Sequence, residues 1–385
     1  MKIKWSFFSV LIALYVLGIN SNAVAVDTRG IDNVIKKGTI DDLDKKVIDD
    51  FLAQAVQELV KTRDFTSIAK LRSVILSRKS TQSQYAQQFS ESAYKQIQAG
   101  LEQAQTLRPE ERKNNVIISL LILIDGMEDL RLADLVMGML KDQNMVIRYW
   151  AVHSLTNPAI VQQLNSVTTS NPNLASTITE QLKEIVQTSK PEIIVHIARF
   201  AANINIPQGE ELLLQVADDR IKRYADWTVT YEFYDTIILK LLDSKIPLSS
   251  QNAGTAAPTT SGGKPAIARS FAQLYSYIIN RYIKGDDTLN DTEKQHLASV
   301  IIEIEEQCIP RLLGQSRSQG TLRRAIERNN LIALSEEHNK LLGDETNTGQ
   351  LPSRLGFDYS STPDSPKRTA PTPLPDKPQK PAANN

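Results

Sequence analysis

Apolar residues recur every three or four positions along most of the chain, which is the period of an α-helix. The clearest case is the segment from Ala133 to Leu155, where two short apolar stripes flank the polar stretch Lys141–Asn144. A polar connection of this length is typical of two antiparallel helices joined in a hairpin. No part of the chain needs the two-residue alternation of a half-buried strand, and glycine falls mainly between the periodic segments. The pattern therefore predicts an all-α fold.

The same period predicts helices on both sides of this hairpin. Before it, helices are expected at 41–62, after Asp64, at 82–107 and after Pro109, where the apolar run 116–124 indicates a buried central helix. After it, Asn157-Pro158, Asn171-Pro172 and Lys190-Pro191 each place a proline where a helix begins, a position in which the missing N–H does no harm. A C-terminal helical group is expected at 267–284, 290–313 and 318–342.

The hairpin resembles one unit of the HEAT repeat family. Four residues match the family pattern of an aspartate in the turn followed by Val, Arg and Ala, with one inserted residue: Asp142, Val146, Arg148 and Ala151. Ala198 takes the place of Ala151 in a second, weaker match, and together the resemblance covers residues 128–235. It implies an irregular α-solenoid of stacked hairpins, because one hairpin cannot bury its apolar face alone. It also implies a surface for protein partners, and a structural role for Arg148.

Composition divides the chain into six segments. These are a signal peptide (1–25), N-terminal helices (26–108), a HEAT-like repeat core (109–245), a flexible linker loop (246–266), a C-terminal helical group (267–343) and a proline-rich tail (344–385). The linker is dense in Ser, Thr, Gly, Ala and Pro and has no hydrophobic period. The tail holds 8 of the 17 prolines and few apolar residues, so we expect it to be disordered.

The first 25 residues have the pattern of a secretory signal peptide. Lys2 and Lys4 precede the apolar run 5–19, and Ala23-Val24-Ala25 supplies a small-x-small cleavage site. The run is shorter than the roughly 20 residues that a membrane-spanning helix needs. We therefore expect cleavage after Ala25 and a periplasmic or secreted protein without a membrane span. An uncleaved N-terminal anchor is the alternative.

Charge and cysteine content narrow the function further. Loss of Lys2 and Lys4 from the 44 basic residues leaves 42, against 44 acidic residues. This balance argues against nucleic acid as a partner. Cys308 is the single cysteine, so no internal disulfide is possible, and its position in an apolar helical register predicts a buried thiol.

No local pattern predicts a catalytic residue, a metal site or a cofactor. The four histidines lie on separate predicted helices, without the i, i+4 spacing of a zinc site: His153, His196, His296 and His338. The loop 284–293 departs from a calcium loop because Tyr282 and Lys284 stand where ligands belong. Asn290 and Glu293 instead predict a helix capping box.

An aromatic series is the best candidate for a binding face. Tyr224, Trp227, Tyr231 and Tyr234 follow the spacing i, i+3, i+7 and i+10, which would place them on one face of a helix. Such a face can stack on sugars or on a proline-rich peptide. The alternative is packing between helices, and the exposure of Trp227 separates the two.

The sequence thus favours an exported, non-enzymatic scaffold that mediates protein–protein interaction in the cell envelope. Residues 371–381, PTPLPDKPQKP, are the best linear motif, able to dock on an aromatic groove or a cell-wall polymer, or else to act as a spacer. The alternatives are a carbohydrate or peptide binder that uses the aromatic face at 224–234, and an accessory subunit of an envelope enzyme.

Overall fold

The structure, a computed structural model, describes residues 26–166, 173–247, 264–360 and 366–378. Within these ranges the chain is all-helical, with no β-strand and a single isolated bridge between Gly343 and Thr348, which confirms the predicted fold class. The chain forms two compact units, Met1–Ser154 and Leu155–Asn385. No helix in the described ranges is both long and apolar enough to cross a membrane. The predicted signal peptide lies outside those ranges.

The first unit contains most of the N-terminal helices. They are α1 (Arg29–Val34), α2 (Asp42–Lys61), α3 (Phe65–Leu76), α4 (Ser83–Gln105), α5 (Glu110–Met127), α6 (Ala133–Met137) and α7 (Met145–Leu155). Asp41 and Asp64 cap α2 and α3 through backbone N–H groups three residues further on. Helix α4 packs on α2 and α5. Six apolar residues of the run 116–124 are at most 5% exposed, whereas Ile118 and Ile122 are partly exposed, so most of this run is buried as predicted.

The hairpin at 133–155 consists of the short helix α6 and the longer α7. Ile147, Ala151 and Leu155 of α7 are at most 1% exposed. Val146, an apolar residue that matches the HEAT pattern and was expected to help bury the hairpin, is 45% exposed. The hairpin therefore buries a narrower apolar face than its sequence indicated, and its relation to HEAT repeats stays a prediction.

The second unit has eleven helices in its described part. They are α8 (Pro158–Leu164), α9 (Leu174–Ile185), α10 (Pro191–Asn203), α11 (Pro207–Ala225), α12 (Asp235–Lys245), α13 (Lys264–Lys284), α14 (Asp291–Gln307), α15 (Ile309–Leu313), α16 (Thr321–Glu327), α17 (Leu331–Leu342) and α18 (Gln350–Leu355). The predicted starts at Pro158 and Pro191 are observed, and Asn290 and Glu293 form the expected capping box. Asn171-Pro172 and most of the predicted linker lie outside the described residues.

Helix α13 is the centre of the second unit, because α11, α12, α14, α17 and α18 all pack against it. Its apolar residues between 267 and 279 are at most 3% exposed, on every side of the helix. A helix that is apolar all round must be covered all round. The neighbouring helices cover part of its surface, and the C-terminal residues cover another part.

The prediction of a disordered tail is wrong for residues 344–360 and 366–378. Four apolar side chains in these ranges, Leu351, Phe357, Tyr359 and Leu374, are at most 7% exposed. The carboxylate of Asp344 accepts hydrogen bonds from Thr346 and Asn347, which lower its pKa to about 2 and fix the turn after α17. The average composition was that of a disordered chain, but the few apolar residues are spaced so that each one reaches the body.

Candidate interaction groove on helix α13

A strained loop follows α11, where the sequence predicted one continuous aromatic face. The helix ends at Ala225, and Trp227 and Tyr231 both have a left-handed backbone, with φ values of 56° and 54°. Bulky residues rarely adopt this conformation, and strain of this kind accumulates where a fold positions side chains for a task. The four aromatic residues therefore do not share one helical face.

A buried ion pair holds the loop from below. Arg220 donates two hydrogen bonds to Asp235, from Nε at 2.6 Å and from Nη2 at 2.8 Å, and both side chains are at most 1% exposed. The hydroxyl of Tyr224 donates to the same carboxylate at 2.7 Å. Burial raises the pKa of Tyr224 well above its usual value, and the negative charge of Asp235 adds to the effect. Tyr224 is thus a neutral packing residue, as the alternative interpretation of the aromatic series expected.

A second pair joins this network to Trp227. Arg281 of α13 donates to Glu232 at 3.4 Å, and its guanidinium lies 5.2 Å from the centre of the Trp227 ring. This is the range of a cation–π contact. Burial raises the pKa of Glu232. The two contacts of Arg281 fix the Trp227 ring beside α13, where Trp227 is neither fully buried nor fully exposed.

The remaining aromatic residues of the loop form an outer cluster. Tyr231 is 51% exposed and Phe233 is 40% exposed. Phe233 lies 4.3 Å from Tyr234 and 5.2 Å from His296, measured between ring centres. The four residues of the predicted binding face therefore lie in three different places. Tyr224 is buried, Tyr231 and Tyr234 belong to the outer cluster, and Trp227 lies beside α13.

Trp227 and one face of α13 hold the segment 366–378, which has neither helix nor strand structure. Four side chains donate hydrogen bonds to four consecutive backbone carbonyls. They are Gln273 Nε2 to Thr372 (2.9 Å), Tyr277 Oη to Pro373 (3.4 Å), Lys284 Nζ to Leu374 (2.7 Å) and Trp227 Nε1 to Pro375 (2.9 Å). Residues 273, 277 and 284 are four and seven positions apart, so they lie on one face of the helix. We call this surface the α13 groove.

Two further interactions set the register of the segment in the α13 groove. The backbone N–H of Thr372 donates to Gln273 Oε1 at 2.7 Å, so one side-chain amide holds both polar groups of residue 372. Lys284 also forms an ion pair with Asp376 at 2.7 Å. The hydrogen bond to Gln273 Oε1 needs a backbone N–H at position 372. Proline has none, so the threonine between the two prolines 371 and 373 fixes which residue lies opposite Gln273.

The two buried side chains of the segment lie three positions apart. Pro371 and Leu374 are buried, whereas Thr372, Pro373, Pro375 and Asp376 are exposed. Lys377, three positions after Leu374, is exposed and places its ammonium 6.0 Å from the centre of the Trp227 ring. Three residues per turn is the period of the polyproline II helix. One face of the segment thus lies on the groove, as in known recognition of proline-rich peptides by aromatic surfaces.

The beginning of the segment is attached separately to the body. Tyr359 N–H donates to the carbonyl of Arg368 at 3.0 Å, and the Thr369 hydroxyl donates to the carbonyl of Asp344 at 2.7 Å. Gly343 has a φ of 105°, and a Cβ there would collide with the carbonyl of Thr369. Residues 368 and 369 are therefore held by the turn after α17, and residues 371–377 by the α13 groove.

A cavity of about 540 Å³ lies beneath residues 367–374. In its wall, Ser276 Oγ lies 2.8 Å from His338 Nε2, and His338 Nδ1 lies 2.9 Å from Asn339 Oδ1. Burial lowers the pKa of His338, so the ring is neutral and accepts the serine proton in a hydrogen bond. Ser276 borders the cavity but is 1% exposed, and the His338 ring beside it is held by the amide of Asn339 and not by a carboxylate. We assign this network a structural role.

The described residues contain no group of three His, Cys, Asp or Glu side chains arranged to hold a metal ion. In the loop once compared with a calcium site, Asp286 pairs with Lys294 at 2.7 Å. Cys308 is 1% exposed, as expected, and burial raises its pKa to about 12.

Sequence reasoning selected Trp227 and the segment 371–381 separately and missed that they meet. It also missed Gln273 and Lys284, whereas Tyr277 was one of the aromatic residues for which binding and packing were both left open. No protein-family model matches the chain, and neither a curated protein nor a solved structure was found to be similar to it.

Proposed function

We propose that this protein is an exported, non-enzymatic helical scaffold that binds protein partners in the cell envelope through the α13 groove. One observation carries the proposal: four side chains donate hydrogen bonds to four consecutive carbonyls of an extended, proline-rich segment. Hydrogen bonds to backbone carbonyls do not depend on the identity of most ligand side chains. A surface of this kind is suited to binding a peptide, with a few buried side chains for specificity.

The other parts of the proposal rest on the sequence. The pattern of residues 1–25 supports export, with cleavage after Ala25. The resemblance of residues 128–235 to HEAT repeats supports an irregular solenoid whose role is to present partner surfaces. In this proposal the buried ion pairs beneath Trp227 keep the groove in its shape before a partner arrives, which reduces the entropy lost on binding.

Site-specific photo-crosslinking in the native cell tests this proposal. A benzophenone side chain at Thr228, which is exposed beside Trp227, should form an adduct with a partner. The same group at Ile332, which is 75% exposed on α17, is the matched control. The expected result is an adduct from position 228, absent from position 332 and lost when Trp227 is also changed to Ala. Equal adducts at both positions, or none at 228, would overturn the assignment of the partner surface.

A carbohydrate ligand is the second candidate, and the exposure of Tyr231 and Phe233 favours it. Exposed aromatic rings stack on the apolar faces of sugars. Retention of the purified protein on insoluble cell-wall glycan, reduced at least fivefold in Tyr231→Ala, would support this ligand. Retention that is unchanged in Tyr231→Ala would exclude the outer aromatic cluster as its site.

A further inference from the structure

The α13 groove recognises only a few side chains of the segment that it binds. The buried positions are 371 and 374, and the groove adds one ion pair, from Lys284 to Asp376. The intervening residues 372, 373 and 375 contribute their carbonyls, and their side chains are exposed. The pattern of recognition is therefore Pro-x-x-Leu-x-Asp in an extended chain.

The resident segment does not fill the space available to it. The cavity of about 540 Å³ between residues 367–374 and α13 is bordered by Asn280 and His338, so the chain crosses it as a bridge. A ligand with a larger side chain at the position of Ala370, which is partly buried and borders the cavity, would have room for it there. The groove thus fits its own segment incompletely.

The two ends of the segment are also held by different parts of the protein. Residues 368 and 369 are bonded to Tyr359 and Asp344, outside the groove. Residues 371–377 are held by α13 and Trp227. The outer part can therefore leave the groove without breaking the inner attachment, and it remains tethered beside the groove after it leaves.

We infer that residues 371–377 are an intramolecular competitor for a partner protein. The partner carries an extended Pro-x-x-Leu-x-Asp segment, which binds the α13 groove when the resident segment leaves it. This inference rests on the proposed function and specifies its ligand and its regulation. A tethered segment has an effective concentration in the millimolar range. A segment whose own dissociation constant for the groove is about tenfold below that concentration weakens the binding of any partner by about tenfold, whatever the partner's affinity.

The test measures binding of a labelled peptide to the full chain. The probe is a fluorescent peptide with the sequence of residues 366–378, PKRTAPTPLPDKP. Its binding is measured by fluorescence anisotropy. Leu374→Asp in the protein should release the resident segment, because it places a carboxylate in a buried apolar position. The matched control is Pro373→Asp, which introduces the same residue at the exposed neighbouring position.

The peptide should bind Leu374→Asp at least tenfold more tightly than it binds the wild type or Pro373→Asp. A peptide with Asp in place of its leucine should not bind, and a peptide with Lys in place of its aspartate should bind several-fold more weakly. Trp227→Ala combined with Leu374→Asp should abolish binding. Pro371→Asp is a second releasing variant, and it should give the same gain if Leu374→Asp does not fold.

If the peptide binds the wild type and both releasing variants with equal affinity, residues 371–377 do not compete with it, and the inference is wrong. An absence of binding to folded releasing variants would overturn the ligand class. An adduct at position 228 in the cell together with either of these results would leave the proposed function standing and remove only this inference. Peptide binding to the releasing variants without any adduct at position 228 in the cell would remove the proposed function, and with it the partner, and would leave only a groove that binds the protein's own segment.

Discussion

The buried pair of Arg220 and Asp235 allows a quantitative prediction about the base of the groove. Asp235→Asn keeps the shape of the side chain and removes its charge, which leaves the guanidinium of Arg220 buried without a counter-ion. Removal of one partner from a buried pair destabilises a fold by about 3–5 kcal/mol. The side chains are at most 1% exposed and share two hydrogen bonds, so we expect the effect to lie in this range.

Tryptophan fluorescence during urea unfolding can report the stability of the second compact unit, which contains this ion pair. Among residues 26–385 the tryptophans are Trp150 and Trp227, so a Trp150→Phe background makes Trp227 the reporter of the second unit. For a urea m-value of about 2.5 kcal/mol/M, 3–5 kcal/mol lowers the unfolding midpoint by roughly 1.2–2 M. The emission of Trp227 should also change before unfolding, because the network beneath its ring is altered.

Two further variants distinguish this explanation from a general loss of packing. Glu211→Gln makes the same chemical change in the pair with Lys183, where the Glu211 side chain is 64% exposed, and should cost about 0–1 kcal/mol. Arg220→Met with Asp235→Leu removes both charges and should recover most of the lost stability. A midpoint shift below about 0.4 M for Asp235→Asn, equivalent to 1 kcal/mol, would refute the reasoning that this pair is dry and tightly coupled.

Three more predictions concern other parts of the fold. Burial lowers the pKa of His338, so the unfolded chain binds more protons below pH 7. The free energy of unfolding should therefore fall from pH 7 to pH 5, with a shallower slope in His338→Gln; equal slopes would contradict this. Cys308 should not react with a thiol reagent at pH 8 until the chain is unfolded, because burial raises its pKa to about 12; rapid reaction in the folded chain would be inconsistent with its burial. Tyr231 has a φ of 54°, so Tyr231→Gly should be about 1 kcal/mol more stable than Tyr231→Ala in urea unfolding, and the reverse order would exclude strain there.

Much of the helical structure follows from local rules. Asp41, Asp64 and Asn290 are side-chain caps, and Pro158 and Pro191 are first-turn prolines; each acts on the backbone of its own segment. The period of apolar residues identifies the faces that these helices bury. Such signals lie within a few residues of the structure that they determine, so a single sequence is enough to find them.

The aromatic loop shows where periodicity fails. The spacing of Tyr224, Trp227 and Tyr231 continues the helical period beyond Ala225, although the helix ends there. The intervening residues 228–230 are Thr, Val and Thr, which are β-branched and weaken a helix. These three β-branched residues were the signal in the sequence that the helix does not continue through this segment. The left-handed backbone of Trp227 and Tyr231 is set by tertiary contacts, which no local rule gives.

The groove could not be derived from sequence because its parts are remote from one another. Trp227 and Pro375 are 148 positions apart, and Gln273 and Thr372 are 99 positions apart. Each partner is an ordinary residue in its own segment. Only the docking of the tail on α13 gives them a shared role, and although residues 371–381 were predicted to be able to dock on an aromatic groove, nothing in the sequence placed that groove on α13.

The amide proton of Thr372 offers the most direct test of the central claim, because it donates to Gln273 inside the groove. The measurement is hydrogen exchange by NMR in the full wild-type chain, labelled with 15N-threonine. We predict that the Thr372 amide exchanges at least tenfold more slowly than in the free peptide 366–378. We also predict that an excess of that peptide, unlabelled, removes the protection. Fast exchange in the resting chain, or protection that saturating peptide leaves unchanged, would contradict the account.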